Sequence, residues 1–158
     1  MQYTIGIGEM KVTGNHEDVL ITYSLGSCIG LSLYDPGVGV GGLIHCMLPL
    51  SKLDPEKAKQ FPGRFTDTGV AALLSGMYEQ GACRKNLIAK VAGGAMLLDA
   101  KNLFKIGERN YTVLRKMLWK NNIMIAAEQV GGIIPRTMVL DLRTGKTFVK
   151  SNGRSQEL

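Results

Sequence analysis

Residues 28–48 read CIGLSLYDPGVGVGGLIHCML, and this stretch decides the fold because it predicts a β-hairpin. Two apolar runs, Cys28–Tyr34 and Gly39–Leu48, flank the turn sequence Asp35-Pro36-Gly37-Val38. Asp, Pro and Gly are favoured in tight turns for distinct backbone reasons, and the flanking runs have the character of strands. We therefore expect two antiparallel strands joined by a loop at residues 35–38.

The predicted hairpin places a cysteine opposite a histidine. With residues 35–38 as the loop, Tyr34 pairs with Gly39, and the same register pairs Cys28 with His45. Directly opposed residues have Cβ atoms about 5 Å apart. A slip of one residue would put Cys46 opposite Cys28 instead, and the glycines of the hairpin leave the register weakly specified. In the predicted register, Cys46 points to the other face of the hairpin, towards the core.

Length and composition indicate one domain spanning residues 1–158, with a polar and mobile tail at 151–158. The chain is 45% apolar, which is enough for an ordinary core. Its three cysteines have unrelated spacings, which favours a reducing cytoplasm over a disulfide framework. No apolar run approaches the roughly 20 residues of a membrane helix, and we expect no signal peptide and no membrane insertion.

The net charge of +6 points to acidic partners. The basic residues are scattered along the chain, and aromatic residues make up only 6% of it. Nucleic-acid binding usually needs a basic patch with aromatic side chains for base stacking. We therefore interpret the basic residues as ordinary solvated surface, with an acidic protein surface as the alternative, and expect no nucleic-acid partner.

The remaining segments predict strands and two main helices. Strands are predicted at Gln2–Met10, Val19–Tyr23, Leu87–Val91, Ile123–Val130, Thr137–Leu142 and Lys146–Lys150. Helices are predicted from Thr66 or Asp67 to about Gln80 and from Gly107 or Glu108 to about Asn121. Residues 49–63 predict an excursion over the surface. This order predicts an α+β or layered α/β fold, with mixed β-sheets and the two main helices packed on one side.

Cys28 is the candidate nucleophile because Gly26 and Gly30 leave space around its sulfur. His45 is the candidate base, and the hydroxyl or main-chain carbonyl of Thr22 is a candidate to orient it. The turn formed by Gly26, Ser27 and Cys28 offers backbone N–H groups to a developing oxyanion. The simpler alternatives are a buried structural cysteine and a hydrogen-bonded histidine within a sheet.

Other chemistries have weaker support in the sequence. A zinc site formed by Cys28, His45 and a second cysteine lacks any C-x-x-C or H-x-x-x-H spacing. The glycine pairs at Gly6-Ile7-Gly8 and Gly93-Gly94 lack the full phosphate-binding fingerprint, so we interpret them as closely packed backbone. We expect no metal and no cofactor. A thiol protease remains an alternative because it would use the same acyl-enzyme chemistry.

The sequence resembles the CheD family of chemoreceptor glutamine deamidases from about Ile5 to Val149. The motifs that carry the resemblance are Gly6-Ile7-Gly8-Glu9, Leu25-Gly26-Ser27-Cys28, His45-Cys46-Met47-Leu48-Pro49, Arg64-Phe65-Thr66-Asp67, Ala92-Gly93-Gly94-Ala95, Ile106-Gly107-Glu108-Arg109-Asn110 and Gly131-Gly132. The family's Cys-His-Thr triad falls on Cys28, His45 and Thr22. Family members often have glycine or another small residue where this chain has Tyr23-Ser24.

The resemblance implies a protein-glutamine glutaminase that converts selected glutamines of methyl-accepting chemotaxis receptors to glutamate through a thioester. It also implies a layered fold similar to the catalytic domain of cytotoxic necrotizing factor toxins. A CheC-type phosphatase is implied as a further partner. The alternative function is a binding module that regulates such a phosphatase in chemotaxis adaptation.

Overall fold

The computed structural model describes residues 1–96 and 105–158, which hold ten β-strands and three α-helices. The strands are β1 Gln2–Thr4, β2 Met10–Thr13, β3 Val19–Leu25, β4 Ile29–Asp35, β5 Val40–Cys46, β6 Ile88–Gly93, β7 Ile125–Val130, β8 Arg136–Asp141, β9 Lys146–Ser151 and β10 Arg154–Glu157. The helices are α1 Pro55–Gln60, α2 Thr66–Glu79 and α3 Ile106–Lys120. None of the described helices is long and apolar enough to span a membrane.

The described strands form two five-stranded sheets. The first sheet has the order β1-β3-β8-β9-β10, and the second has the order β2-β5-β4-β6-β7. Both sheets are mixed, because β1 runs parallel to β3 and β6 runs parallel to β7, while the other neighbours are antiparallel. The prediction of mixed β-sheets in an α+β fold is therefore confirmed.

Two hydrophobic cores divide the molecule into three layers. The outer core packs α2 and α3 onto one face of the second sheet, and its helical residues are Val70, Leu73, Leu74, Met77, Leu114 and Leu118. The inner core fills the space between the two sheets. Both main helices thus lie on one side, as predicted. The predicted likeness to the toxin domain stays a prediction.

The predicted hairpin is present, but its register differs by two residues. The loop is 36–39, so that Asp35 pairs with Val40 and Gly30 pairs with His45. Asp35 stays in the strand because its carboxylate, which is buried, accepts hydrogen bonds from the N–H groups of Gly37 and Cys83. Gly39 ends the turn at φ +70°, a conformation that glycine adopts without strain. The predicted pairing of Cys28 with His45 was therefore wrong.

The predicted strand Gln2–Met10 is in fact two strands in different sheets. β1 pairs with β3 in the first sheet, whereas β2 pairs with β5 in the second. The chain crosses between the sheets at residues 5–9, where Gly8 has φ +77°. This crossing segment packs closely, since a Cβ on Gly63 would collide with the carbonyl oxygen of Gly8. The interpretation of Gly6-Ile7-Gly8 as closely packed backbone is thereby confirmed.

The predicted mobile tail contains a strand. β10 pairs antiparallel with β9, and the two-residue turn between them is Asn152-Gly153, with φ +50° and +73°. Asn-Gly is a strong sequence signal for such a turn, although the sequence analysis predicted no hairpin here. The surface excursion at 49–63 likewise contains the short helix α1, whose first turn is capped by the carboxylate of Asp54.

A β-bulge in β3 shapes the approach to Cys28. The pairing of β3 with β8 shifts between Thr22 and Leu25, and Ser24 takes a left-handed conformation with φ +57°. Thr22 and Leu25 are three residues apart and would face opposite sides of a regular strand. Because of the bulge both side chains are fully buried, while Tyr23 and Ser24 are exposed.

Candidate active site

Cys28 lies in the short turn between β3 and β4, where it is half-buried and packs against the inner core. His45 pairs with Gly30, so the His45 side chain faces the same inner layer. Cys28 is two residues before Gly30 and shares its face, because side chains along a strand alternate. The two candidates are therefore diagonal neighbours at one end of the hairpin, and not directly opposed.

Thr22 holds the imidazole of His45 from the other sheet. Its Oγ1 lies 2.6 Å from Nδ1 of His45 and 2.7 Å from the carbonyl oxygen of Ile5. A carbonyl oxygen can only accept, so the single hydroxyl proton of Thr22 is donated to Ile5. Nδ1 of His45 must then carry the proton and donate it to Oγ1. The neutral histidine thus has its free lone pair on Nε2.

Nε2 of His45 has no hydrogen-bond partner among the residues that the structure describes, although the side chain is only 1% exposed. A buried polar atom without a partner is costly, and such atoms are uncommon in native proteins. Here the free nitrogen is the one that a general base would use. The predicted role of Thr22 as the orienting hydroxyl is consistent with this geometry.

Burial keeps both reacting groups neutral at rest. It raises the pKa of the Cys28 thiol above its ordinary value, and the residue's own backbone N–H offsets part of this rise. Burial also lowers the pKa of His45 to about 4. Desolvation disfavours the charged form of each group, so the resting pair is a thiol and an imidazole. If Cys28 is the nucleophile, its proton has to move to His45 when a substrate arrives.

We expect His45 to make the protein less stable in acid. In the unfolded chain it takes up a proton near pH 6.5, but in the folded protein it does so only near pH 4. Between these values the unfolded state binds more protons, so the free energy of unfolding falls by about 3 kcal/mol as the pH is lowered. Urea denaturation at several pH values measures this loss.

His45→Asn is the matched variant for this measurement. Its amide N–H can still donate to Thr22, but it cannot titrate. The carboxylates titrate equally in both proteins, so the difference between the two pH profiles isolates His45. Parallel profiles between pH 6.5 and 4 would contradict the lowered pKa of His45.

The backbone of the cysteine turn is fixed by three consecutive carbonyl groups. The carbonyls of Gly26 and Cys28 accept hydrogen bonds from the N–H groups of Ala95 and Gly94, each at 2.8 Å. The carbonyl of Ser27 accepts one from Nδ2 of Asn110 at 3.0 Å. The N–H groups of Ser27 and Cys28 have no acceptor within the described residues. Two of the three predicted oxyanion donors, the N–H groups of Ser27 and Cys28, are therefore not engaged by another described residue.

Asn110 is the last residue of a motif quoted in the sequence analysis, which gave this side chain no role of its own. It is fully buried on α3 and also bonds to Met47 and Thr66. A signal was present, because Asn110 lies four residues before Leu114 on the apolar stripe of α3. A polar residue on a buried stripe needs polar partners, and these turn out to lie in the cysteine turn.

The other two cysteines lie apart from this arrangement. Cys46 is fully buried in the outer core, on the face predicted for it, and burial raises its pKa far above the ordinary value. Cys83 is exposed near the hairpin loop, since its N–H bonds to Asp35. Within residues 1–96 and 105–158, no three His, Cys, Asp or Glu side chains come together as metal ligands would.

An apolar cavity of about 370 Å³ adjoins the segment that holds the cysteine turn. Its lining includes Gly94 and Ala95, together with Met96, Tyr111 and Ile133. Met96 and Ile133 are more than half exposed. The neighbourhood of Cys28 therefore presents apolar surface to the solvent.

Comparisons with known proteins identify the family. A family model described as "CheD chemotactic sensory transduction" matches residues 47–151. The probable chemoreceptor glutamine deamidase CheD 1 of Syntrophus aciditrophicus is 51% identical over 94% of this chain and 93% of its own. The corresponding protein of Solibacter usitatus is 45% identical over 99% of this chain and 93% of its own.

A solved structure, that of the Bacillus licheniformis hypothetical protein YfiH, aligns with 75% of this chain and 49% of that chain. The TM-score is 0.47 at 16% identity. The family model matches more than half of the chain but begins after His45. The relatives extend the similarity over nearly all of the sequence. The chain belongs to the CheD family.

Proposed function

We propose that the protein is a chemoreceptor glutamine deamidase that uses Cys28, His45 and Thr22 as its catalytic triad. The substrate is a glutamine side chain on a methyl-accepting chemotaxis receptor, and the products are a glutamate side chain and ammonia. The observation that carries the proposal is the buried Nε2 of His45, whose lone pair is free because Thr22 holds the proton on Nδ1. The family and the names of its relatives supply the substrate class.

In the first half of the reaction, the thiol proton of Cys28 passes to Nε2 of His45 while the sulfur attacks the amide carbon. The carbonyl oxygen becomes negatively charged and accepts hydrogen bonds from the N–H groups of Ser27 and Cys28. The carbon–nitrogen bond then breaks, and the imidazolium gives its proton to the leaving nitrogen. Ammonia departs, and a thioester remains on Cys28.

In the second half, His45 takes a proton from a water molecule, which attacks the thioester carbon. The carbon–sulfur bond breaks, and the proton on His45 returns to the Cys28 sulfur. The sum is one glutamine and one water converted to one glutamate and one ammonia. Thr22 accepts the Nδ1–H hydrogen bond throughout and stabilises the imidazolium in both halves.

Two further assignments accompany this function. The three free thiols support the predicted cytoplasmic location, where a reduced nucleophile persists. A CheC-type phosphatase stays a predicted partner. The alternative function, a binding module for such a phosphatase, predicts that the Cys28→Ala protein stimulates the phosphatase as strongly as the wild type does.

Mass spectrometry of a receptor's cytoplasmic fragment tests the proposal. After incubation with this protein, selected glutamines should gain about one mass unit, with ammonia released in equal amount. Cleavage of the receptor chain would instead identify a thiol protease. Unchanged receptor in the presence of folded protein would overturn the proposed function.

A further inference from the structure

Asn110 uses every hydrogen-bonding group of its side chain. Nδ2 donates to the carbonyl oxygens of Ser27 and Met47, both at 3.0 Å. Oδ1 accepts from the hydroxyl of Thr66 at 3.0 Å. The side chain therefore joins α3 to the cysteine turn, to the end of the hairpin and to the first residue of α2. Only a neutral amide supplies two donors and an acceptor in this shape.

The contact with Ser27 determines where the next N–H points. A trans peptide is planar, so its C=O and N–H point in opposite directions. Asn110 holds the Ser27 carbonyl on the α3 side, which directs the N–H of Cys28 away from α3. That N–H donates to no carbonyl oxygen of another described residue, and it lowers the pKa of the Cys28 thiol itself. It is thus directed at the place where a substrate carbonyl must meet the nucleophile.

We propose that Asn110 is a positioning residue for deamidation: it orients the Ser27–Cys28 peptide so that the Cys28 N–H stabilises the oxyanion. The inference rests on the proposed function for its substrate, but the geometry concerns any acyl group that reacts at Cys28. The hydrogen bonds of Asn110 go to Ser27, Met47 and Thr66, and none goes to the Cys28 sulfur or to His45. Its effect is therefore specific to reactions that build charge on oxygen.

Two reactions of the same thiol separate this role from general support. Acylation by p-nitrophenyl acetate passes through an oxyanion, whereas alkylation by iodoacetamide displaces iodide at a saturated carbon and forms none. Both are measured at Cys28 in a Cys83→Ala background, because Cys46 is buried. Neither measurement needs a receptor, so the result is independent of whether receptors are deamidated.

Asn110→Asp replaces a donor with a carboxylate oxygen facing two carbonyls. We expect acylation to slow by about 10²-fold relative to alkylation, in line with the loss of one oxyanion donor. With receptor as substrate, kcat should fall while KM stays within about twofold. Asn121→Asp is the matched control, since the Asn121 amide bonds to Met117 at the far end of the same helix. It should leave both rates unchanged.

If the Asn110→Asp protein is poorly folded, Asn110→Ala replaces it in the experiment. The same ratio, that of the acylation rate to the alkylation rate, is then measured. Equal slowing of acylation and alkylation would show that Asn110 only supports the turn and would overturn the proposal. Unchanged rates in both reactions would overturn it too. A wild type that acylates normally but leaves receptors unmodified would count against the proposed function and not against the role of Asn110.

Discussion

Replacing Cys28 with alanine should abolish ammonia release from receptor glutamines, lowering kcat by at least about 10⁴-fold. The variant lacks the sulfur that forms the proposed thioester, and a water molecule attacking the amide directly would lose the benefit of covalent catalysis. Cys28 is half-buried at the edge of the inner core, so removing its sulfur should leave the fold intact. Release of ammonia, followed with a coupled assay, measures the effect.

Cys83→Ala is the control for this experiment. It removes the same atom from an exposed cysteine whose N–H bonds to Asp35 at the other end of the hairpin. Its activity should equal that of the wild type. Retention of activity in Cys28→Ala, or its loss in Cys83→Ala, would place the chemistry elsewhere.

Thr22→Val should lower kcat by about 10²- to 10⁴-fold with little change in KM. Valine has the shape of threonine but cannot accept the Nδ1–H bond of His45, so neither the tautomer nor the ring orientation is fixed. The carbonyl of Ile5 also loses its hydroxyl donor. Steady-state kinetics with a receptor fragment measure the loss.

Thr147→Val separates catalysis from stability. Thr147 is equally buried in the inner layer, and its hydroxyl bonds to that of Ser32 at 2.8 Å. Both substitutions remove one buried hydroxyl, so each should cost about 1–3 kcal/mol of unfolding free energy. Only Thr22→Val should cost activity. Comparable activity losses in the two variants would show that Thr22 acts through stability alone.

The hairpin shows what local sequence can and cannot predict. Asp35-Pro36-Gly37 correctly predicts the turn, but the register depends on the bond between Asp35 and the distant N–H of Cys83. That contact is tertiary and has no local signature. The resulting shift is of two residues, so every side chain keeps its face. For this reason Cys28 and His45 still share a layer, and Cys46 still enters the core.

Thr22 shows a second limit of what local sequence can predict. In a regular strand, Leu25 and Thr22 would lie on opposite faces, and only the bulge at Ser24 lets both face inward. The bulge depends on pairing with β8, more than 100 residues further along the chain. The residues alone made Thr22 one of several candidates, and the resemblance to a known family selected it. The proposed role of Asn110 could not be predicted from the sequence, because it depends on which turn α3 packs against.

The proposed active site is divided between the two sheets, and this division affects how folding can be measured. His45 lies in the second sheet, and Cys28 lies in the turn that leads into β4 of that sheet, whereas the hydroxyl of Thr22 that bonds to His45 lies in the first sheet. A molecule whose sheets have separated by a few ångströms could keep its helices, and thus its far-ultraviolet circular dichroism, yet have no aligned base. Turnover therefore reports the docking of one layer on the other, and inactivation on warming should precede the loss of helical signal.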